Sequence, residues 1–478
     1  MTSTAPMPPT HARRNFNIAL SCVVAIFASS AFACDGDLNA NQTVDAEDLA
    51  QLLSSWGSAS GDIDGNGTTD AADLATLLSN WGACPPDVQW SLLTRLDSAT
   101  TTAVDASGAV VRTWTGTSNG ASVAYLRADG SLIRPGVFAN GSFTGAGRGG
   151  RLQIFSPAGV LTNDLIIASA LFQQHHDVCP LPNGNILCIV WDLHTQAEAI
   201  AAGRTTITGN IYSERIIEVH PTGMNTYDIA WSWSVWDHLI QDANAAAANF
   251  GVVATHPELV DINFGAVMSS DWIHMNAIDY NATRNEIVVS SRSFNELWVI
   301  DHSTTTAQAA THSGGARGKG GDLLYRWGNP LVSRRGTTTD QFFRVVHGVT
   351  WIDEGMPGAG NILSFNNGDR TGTTNDWSQL VEIAPPRDKS GGYIVPATSA
   401  FGPTAPLWSV GGVGGFYGGP TQCGAFRQSN GNTLVTLTNS GTLFEVNTVG
   451  ATVSTTQLTG QVARVPRYRF VNGVWQGH

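Results

Sequence analysis

Charge is scarce in this chain of 478 residues: Asp, Glu, Lys and Arg together make up 13%. The basic sign is the scarcer one, 25 Lys and Arg against 38 Asp and Glu, for a net charge of −13. That balance argues against general nucleic-acid affinity. Long apolar runs are missing as well. The run Ile18 to Phe27 is too short to span a bilayer stably. Cysteine is rare, six residues in all. Several catalytic signatures are also absent. No G-x-S-x-G nucleophile elbow occurs. The stretch GGARGKGG (314–321) has Gly320 where a phosphate loop needs Ser or Thr after Lys319, and it lacks the leading glycine. C-P-L-P-N from Cys179 does not complete a C/S-x-P-x-R nucleophile signature.

What is present divides into three parts, 1–33, 34–86 and 87–478. The first reads as an export leader. Arg13 and Arg14 form its charged region, Ile18 to Phe27 its apolar region, and Ala31-Phe32-Ala33 a small-x-small cleavage site before Cys34. The pair R-R-N-F also suits a twin-arginine route. The protein is therefore expected to be exported, periplasmic or extracellular, where disulfides are permissible. Cys22 leaves with the leader. Five cysteines remain, an odd number, so at least one is unpaired.

Residues 34–86 carry nine Asp and Glu and no Lys or Arg, leaving −4 for the rest of the chain. They contain a duplicated unit, DLNANQTVDAEDLAQLLSSWG from Asp37 and DIDGNGTTDAADLATLLSNWG from Asp62. Oxygen-bearing side chains recur at loop positions one, three, five, nine and twelve. These are Asp37, Asn39, Asn41, Asp45 and Asp48, then Asp62, Asp64, Asn66, Asp70 and Asp73. A hard cation needs several oxygens at short range, and a loop leading into a helix supplies them for Ca²⁺. The duplication resembles the type I dockerin family over the whole segment. The resemblance implies a small α-helical module with two Ca²⁺ sites and a cohesin-type protein partner. Cys34 and Cys84 flank the module and are expected to close it with a disulfide.

From about residue 88 the pattern turns to strands. Three hairpins share one layout: HHDVCPLPNGNILCIVW (175–191), the stretch within 271–301, and HGVTWIDEGMPGAGNILSFN (347–366). Each has a histidine near the start of its first strand. Two more, at 120–134 and 423–437, lack it. Tryptophan-ended outer strands alternate with these hairpins, predicting a repeated four-stranded antiparallel sheet arranged radially, a β-propeller, with a β-sandwich as the other architecture considered. The segment 194–270 reads as a long insertion of loop with helix. In the hairpin of 271–301, pairing Tyr280 with Glu286 puts His274 opposite Arg292, their Cβ atoms roughly 5 Å apart. A cation opposite a histidine adds nothing to stability, but as an anion-binding pair it makes sense. His175 and His176 are adjacent, so on a strand only one can face a channel, with His176 favoured. Histidines at 194, 220, 238, 256, 302 and 312 are read as structural. Cys179 and Cys188 stand opposed in their hairpin, leaving open a second disulfide or two buried thiols.

The stretches HHDVCPLPNGNIL, DWIHMNAIDYNATRNEIVVSSRSFNELWVID, HSGGARGKGGDLLYRWGNP and the H-x-x-x-W-I from His347 with GNILSFNNG are similar to the bacterial aryl-sulfate sulfotransferase family over roughly residues 95–450. The resemblance implies a mainly β, six-bladed propeller. It implies transfer of a sulfuryl group from an aryl sulfate to a phenol without a nucleotide donor, with no cofactor for that step. It also implies His347 as nucleophile, assisted by His274, Arg292 and the His175/His176 pair. A non-catalytic ligand-binding propeller and an aryl sulfate hydrolase, either one tethered by the dockerin-like module, are the other expectations.

Overall fold

Strands that read as unbroken apolar runs need cover on both faces, and the region after Val88 is built of such strands. Residues 286–291, EIVVSS, are buried throughout. Ile287 and Val289 point into the core shared with the sheet before, and Val288 into the core shared with the sheet after. Stacking sheet on sheet in a ring satisfies this demand at every blade. The computed structural model describes residues 35–39, 41, 43–83, 88–265, 270–369, 376–419, 421–471 and 473–477. Within these residues the chain forms two compact units, Met1–Asp87 and Val88–His478.

The second unit is a mainly β, six-bladed propeller. Its first blade takes three strands from the start of the unit, Val88–Thr94, Thr100–Val104 and Val110–Thr115, and two from the end, Arg467–Val471 and Val474–Gln476. Arg467–Val471 pairs antiparallel with the first strand, Tyr468 opposite Trp90, and this closes the ring. Blades three, four and five begin with innermost strands Phe172–Pro180, Met275–Asn281 and Val346–Trp351. Blades two and six are built on the two hairpins without histidine. Buried carboxylates tie neighbouring blades together. Asp177 accepts from the Ile278 amide (3.3 Å) and Asp279 from the Trp351 amide (2.7 Å).

Three sequence expectations change here. The segment 194–270 is not mainly insertion: Ile211–Gly223 and Thr226–Ser234 are the outer strands of blade three, so WSWS lies in a strand. Helix appears at Gln196–Ala201, whereas the alanine-rich 242–250 forms turns. Cys188 pairs with Val178, not Cys179. This one-residue offset sends the two sulfurs to opposite faces of the sheet, and both are free, buried thiols. Finally, Tyr280 pairs with Ile287 rather than Glu286.

In the first unit, helices α1 (Ala46–Ser54) and α2 (Ala71–Ser79) each start at an aspartate cap. Asp45 accepts from the Glu47 amide and Asp70 from the Ala72 amide, while Asp48 and Asp73 reach back to the cap amides. Val44, Leu52 and Leu77 form the core of the unit. The leader and the expected Cys34–Cys84 bridge lie outside the described residues.

Candidate active site

The innermost strands of blades three, four and five are interrupted at corresponding places. Pairing shifts between Gln174 and Val178, between Met275 and Ala277, and between His347 and Thr350. Beside each break the backbone turns left-handed: His176 has φ 52°, His274 φ 55°, and Val345 and Gly348, which flank His347, φ 58° and 60°. A bulge re-aims a side chain that an ideal ladder would hold in the sheet. For non-glycine residues this conformation costs about 1–3 kcal/mol each, and such strain gathers where function holds it in place. The bulge at Asn276 also repairs the register. Tyr280 is one residue away from its expected partner, yet beyond the bulge Met275 lies opposite Ser291 and the Arg292 amide donates to the His274 carbonyl at 3.0 Å. His274 and Arg292 therefore stand opposite each other as the sequence pattern suggested.

These breaks collect His176, His274, His347 and Arg292. The His176 and His274 rings lie 4.5 Å apart between centroids. His176, Asp177, Asn276, His347, Gln422 and Arg464 line a cavity of about 50 Å³. Two cavities of about 500 and 680 Å³ lie elsewhere, beside Trp327 and Trp236. Gly147 makes room for His176: a Cβ there would sit 2.2 Å from His176 Nε2.

His347 is buried, and its tautomer follows from its neighbours. Asn367 donates through Nδ2 to the carbonyls of Gly419 (2.9 Å) and Gln422 (3.2 Å), so its amide orientation is set. Its Oδ1 then faces His347 Nδ1 at 2.7 Å, with the Val345 carbonyl at 3.1 Å. Both partners accept, so Nδ1 carries the proton and Nε2 keeps its lone pair. Burial first, and the His274 charge next, pull the His347 pKa down to about 3, leaving a neutral imidazole near neutral pH.

The other histidines are oriented as firmly. His274 Nδ1 lies 2.5 Å from Asp271 Oδ2, and Asp271 Oδ1 accepts from Trp191 at 3.0 Å. His175 is turned into the core, stacked on Trp191 with centroids 4.2 Å apart. Its Nε2 meets Glu214 at 2.8 Å and its Nδ1 meets His176 Nδ1 at 2.8 Å. Burial pulls His175 down to about 3 and pushes Glu214 well up, so this pair is held neutral. His176 is the member of the pair that faces the cavity. Its pKa also falls well below the usual value, through burial and then the charges of His274, His175, His347 and Arg292. Among the described residues Arg292 has no ion pair. A second guanidinium, Arg464, borders the cavity. It is paired with Asp177 and touches Tyr125 Oη at 3.3 Å, and its Nη1 has no partner among the described residues.

Sequence reasoning missed Asp271, Asn276, Asn367, Glu214 and Arg464. The first two were within reach, because D-W-I-H-M-N places them three and two residues from His274. Asn276 donates to the Val346 carbonyl at 2.8 Å and accepts from Ser290 at 2.6 Å, linking blades four and five beside the site. Glu214 comes from a distant strand and Arg464 from the segment before the closing strand, and neither has a local signal.

Fold and cluster together define a six-bladed propeller that gathers oriented imidazoles and guanidinium groups beside its inner strands. The chain belongs to the arylsulfotransferase (ASST) family, whose model matches residues 72–392. It is thus a sulfotransferase of the arylsulfotransferase type, and the family implies aryl sulfate and phenol substrates. No curated protein matches the chain. Among solved structures it is similar to a protein of unknown function from Bacteroides caccae, at 11% identity and a TM-score of 0.40, over 79% of this chain and 98% of that one. It is also similar to apo AztD from Citrobacter koseri, at 8% identity and a TM-score of 0.36, over 80% and 98%. Virginiamycin B lyase from Staphylococcus aureus is similar at 8% identity and a TM-score of 0.36, over 81% and 89%. These likenesses say nothing of the chemistry.

Proposed function

We propose that the protein is an exported enzyme that moves a sulfuryl group from an aryl sulfate to a phenolic acceptor through His347. The Nε2 lone pair attacks sulfur as the bond between sulfur and the phenolic oxygen breaks, and that oxygen leaves with the bonding pair. Arg292 neutralises the non-bridging oxygens, whose charge must be held as the leaving group departs. His274, fixed by Asp271, delivers a proton to the leaving phenolate, with His176 beside it and His175 holding His176 in place. In the second half an acceptor phenol attacks the same sulfur, its proton returns to His274, and the bond from sulfur to Nε2 breaks. The observation that carries this reading is the Asn367 contact, which leaves His347 with a free, unprotonated Nε2.

A covalent intermediate requires ping-pong kinetics, seen as parallel lines in double-reciprocal plots of donor against acceptor. Incubation with 4-nitrophenyl sulfate alone should leave a sulfuryl adduct on the peptide that holds His347. A His347→Ala enzyme should lose transfer by roughly 10³-fold or more, because the intermediate itself is removed. Sequential kinetics, or an adduct on another residue, would move the nucleophile role away from His347. Product analysis with and without added phenol separates transfer from hydrolysis.

The first unit is proposed to be a dockerin-like module that binds two Ca²⁺ ions and docks on a cohesin-type partner. Carboxylate oxygens of Asp62, Asp64 and Asp73 lie within 4.8 Å of one another. This is an all-oxygen set that fits a hard cation, with Asn66 in the same loop. Asp37, Asn39, Asn41 and Asp48 repeat the pattern in the first loop. Asp45 and Asp70 act first as helix caps and would reach an ion only through water. Two apolar pairs recur at the same repeat positions and stay about half exposed, Leu53 with Trp56 and Leu78 with Trp81. Such patches suit a protein partner.

A further inference from the structure

Two histidines read from the sequence as structural lie together in the propeller, away from the cluster of His274 and His347. His238 ends the short 3₁₀ turn Val235–His238 behind the strand Thr226–Ser234. His312 and Asp322 bracket the glycine-rich stretch SGGARGKGG, whose ends are drawn together by the Gly320 amide on the Gly314 carbonyl (3.0 Å) and the Gly321 amide on the Thr311 carbonyl (2.9 Å). The loop thus brings residues ten apart in sequence to one point. Gly321 is needed there, since a Cβ on it would stand 2.4 Å from His238 Nε2.

His238 is fully buried and lies parallel to Trp233, ring centroids 5.8 Å apart. Its Nε2 is 2.8 Å from the Ala309 carbonyl, which can only accept, so Nε2 bears the proton. In a neutral ring Nδ1 is then a bare lone pair, and it points at Asp322 Oδ1 from 3.0 Å. His312 Nδ1 meets the same oxygen at 2.7 Å. Two imidazole nitrogens thus converge on one carboxylate oxygen, and the three ligand atoms lie within 4.8 Å of one another.

We infer that His238, His312 and Asp322 form a binding site for a divalent transition metal of the zinc class. Two imidazoles and a carboxylate are a borderline donor set that suits zinc and its neighbours better than calcium or magnesium. A ligand histidine usually gives its other N–H to a backbone carbonyl, as His238 does to Ala309, which fixes the tautomer that ligation needs. Among the described residues three protein groups converge, which leaves the fourth position of a tetrahedral ion for water or another ligand. His312 and Asp322 also line a cavity of about 680 Å³ with Trp236, Phe250, His256 and Glu258. The His312 side chain is 61% exposed, which gives the ion a path in.

The test uses the full chain, stripped of metal and kept in excess Ca²⁺ so that the acidic loops of the first unit are saturated. Titration with Co²⁺ should produce the visible absorption of low-coordinate cobalt, saturate at one ion per chain, and be reversed by Zn²⁺. His312→Ala and Asp322→Asn should weaken cobalt binding at least tenfold. His274→Ala and His347→Ala should leave it unchanged. Zn²⁺ should raise the melting temperature of the wild type and not that of His312→Ala, since a ligand that binds only the folded state stabilises it. His312 is exposed, so its alanine variant should fold, which circular dichroism checks. Absence of a saturable cobalt spectrum would overturn the site. So would a spectrum that survives His312→Ala, or one lost with His274→Ala or His347→Ala.

Discussion

At the scale of single residues, the proposed mechanism rests on which histidine nitrogen holds a proton, and one amide decides this for His347. In the proposed mechanism Asn367 is a positioning residue, acting on His347 through the tautomer. Asn367→Leu should lower kcat by roughly 10²-fold or more with little change in KM, as when the orienting partner of a catalytic histidine is removed. Asn367→Asp keeps an acceptor oxygen and should recover part of the loss. Equal effects on kcat and KM in both variants would mean a general packing defect instead. The same burial predicts a pH dependence of stability. His175 and His347 have folded pKa values pulled to about 3 from the usual 6.5. Below pH 6.5 the unfolded chain binds protons that the folded chain refuses, so stability is lost as pH falls from about 6.5 toward 3. Each such histidine contributes a slope of about 1.4 kcal/mol per pH unit. Denaturant unfolding at pH 7 and pH 5 should show this, and His347→Gln should flatten it.

At the scale of elements, the recurring unit is an inner strand that breaks its own pairing. An unbroken strand would have kept His176 and His274 in the sheet, and the bulges bring them out. The histidine at the head of each hairpin was legible because hairpin and turn chemistry are local. The bulges were not, because a one-residue slip in pairing depends on how the strand packs between two neighbouring blades. That is also why Cys179 and Cys188 looked opposed and are not. In the first unit, α1 and α2 have nine residues each and could not persist alone in water. Their loops are proposed to fold around Ca²⁺, so a chelator should abolish the helical circular dichroism of a 34–86 fragment, and calcium should restore it. A spectrum indifferent to chelator would remove the calcium reading.

At the scale of the whole propeller, six sheets are held as a ring by one pairing between chain ends. Arg467–Val471 supplies the inner strand on which Val88–Thr94 is laid. Next to it, the ion pair of Arg464 with Asp177 joins the closing segment to blade three, and Tyr125 Oη donates to the same carboxylate at 3.1 Å. Deleting residues 461–478 should open the ring and expose the inner edge of blade one, since Gln461, Val462, Ala463 and Pro466 also pair with the first strand and its continuation. The truncated chain should unfold at a lower temperature and with a broader, non-two-state transition, followed by calorimetry. A melt as sharp as that of the full chain would show that closure contributes little. Sulfotransfer should fall in parallel, because the site is assembled from several blades.

The sequence by itself determined the recurring antiparallel hairpins, the histidine at the head of three of them, the placing of His274 opposite Arg292, and the doubled acidic loop with its two short helices. These depend on turn residues, alternation and repeat spacing, all of which act within some twenty residues of one another. The tertiary structure alone decided that His176 and not His175 faces the cavity and that His347 carries its proton on Nδ1. It alone brought Glu214, Asn367 and Arg464 to the site, and it joined His238 to His312 and Asp322. Glu214, Arg464 and His238 act across segments far apart in the chain, and Asn367, though only 20 residues from His347, is oriented by the carbonyls of Gly419 and Gln422. Such contacts exist only once the blades pack and the ring closes, so no local pattern records them.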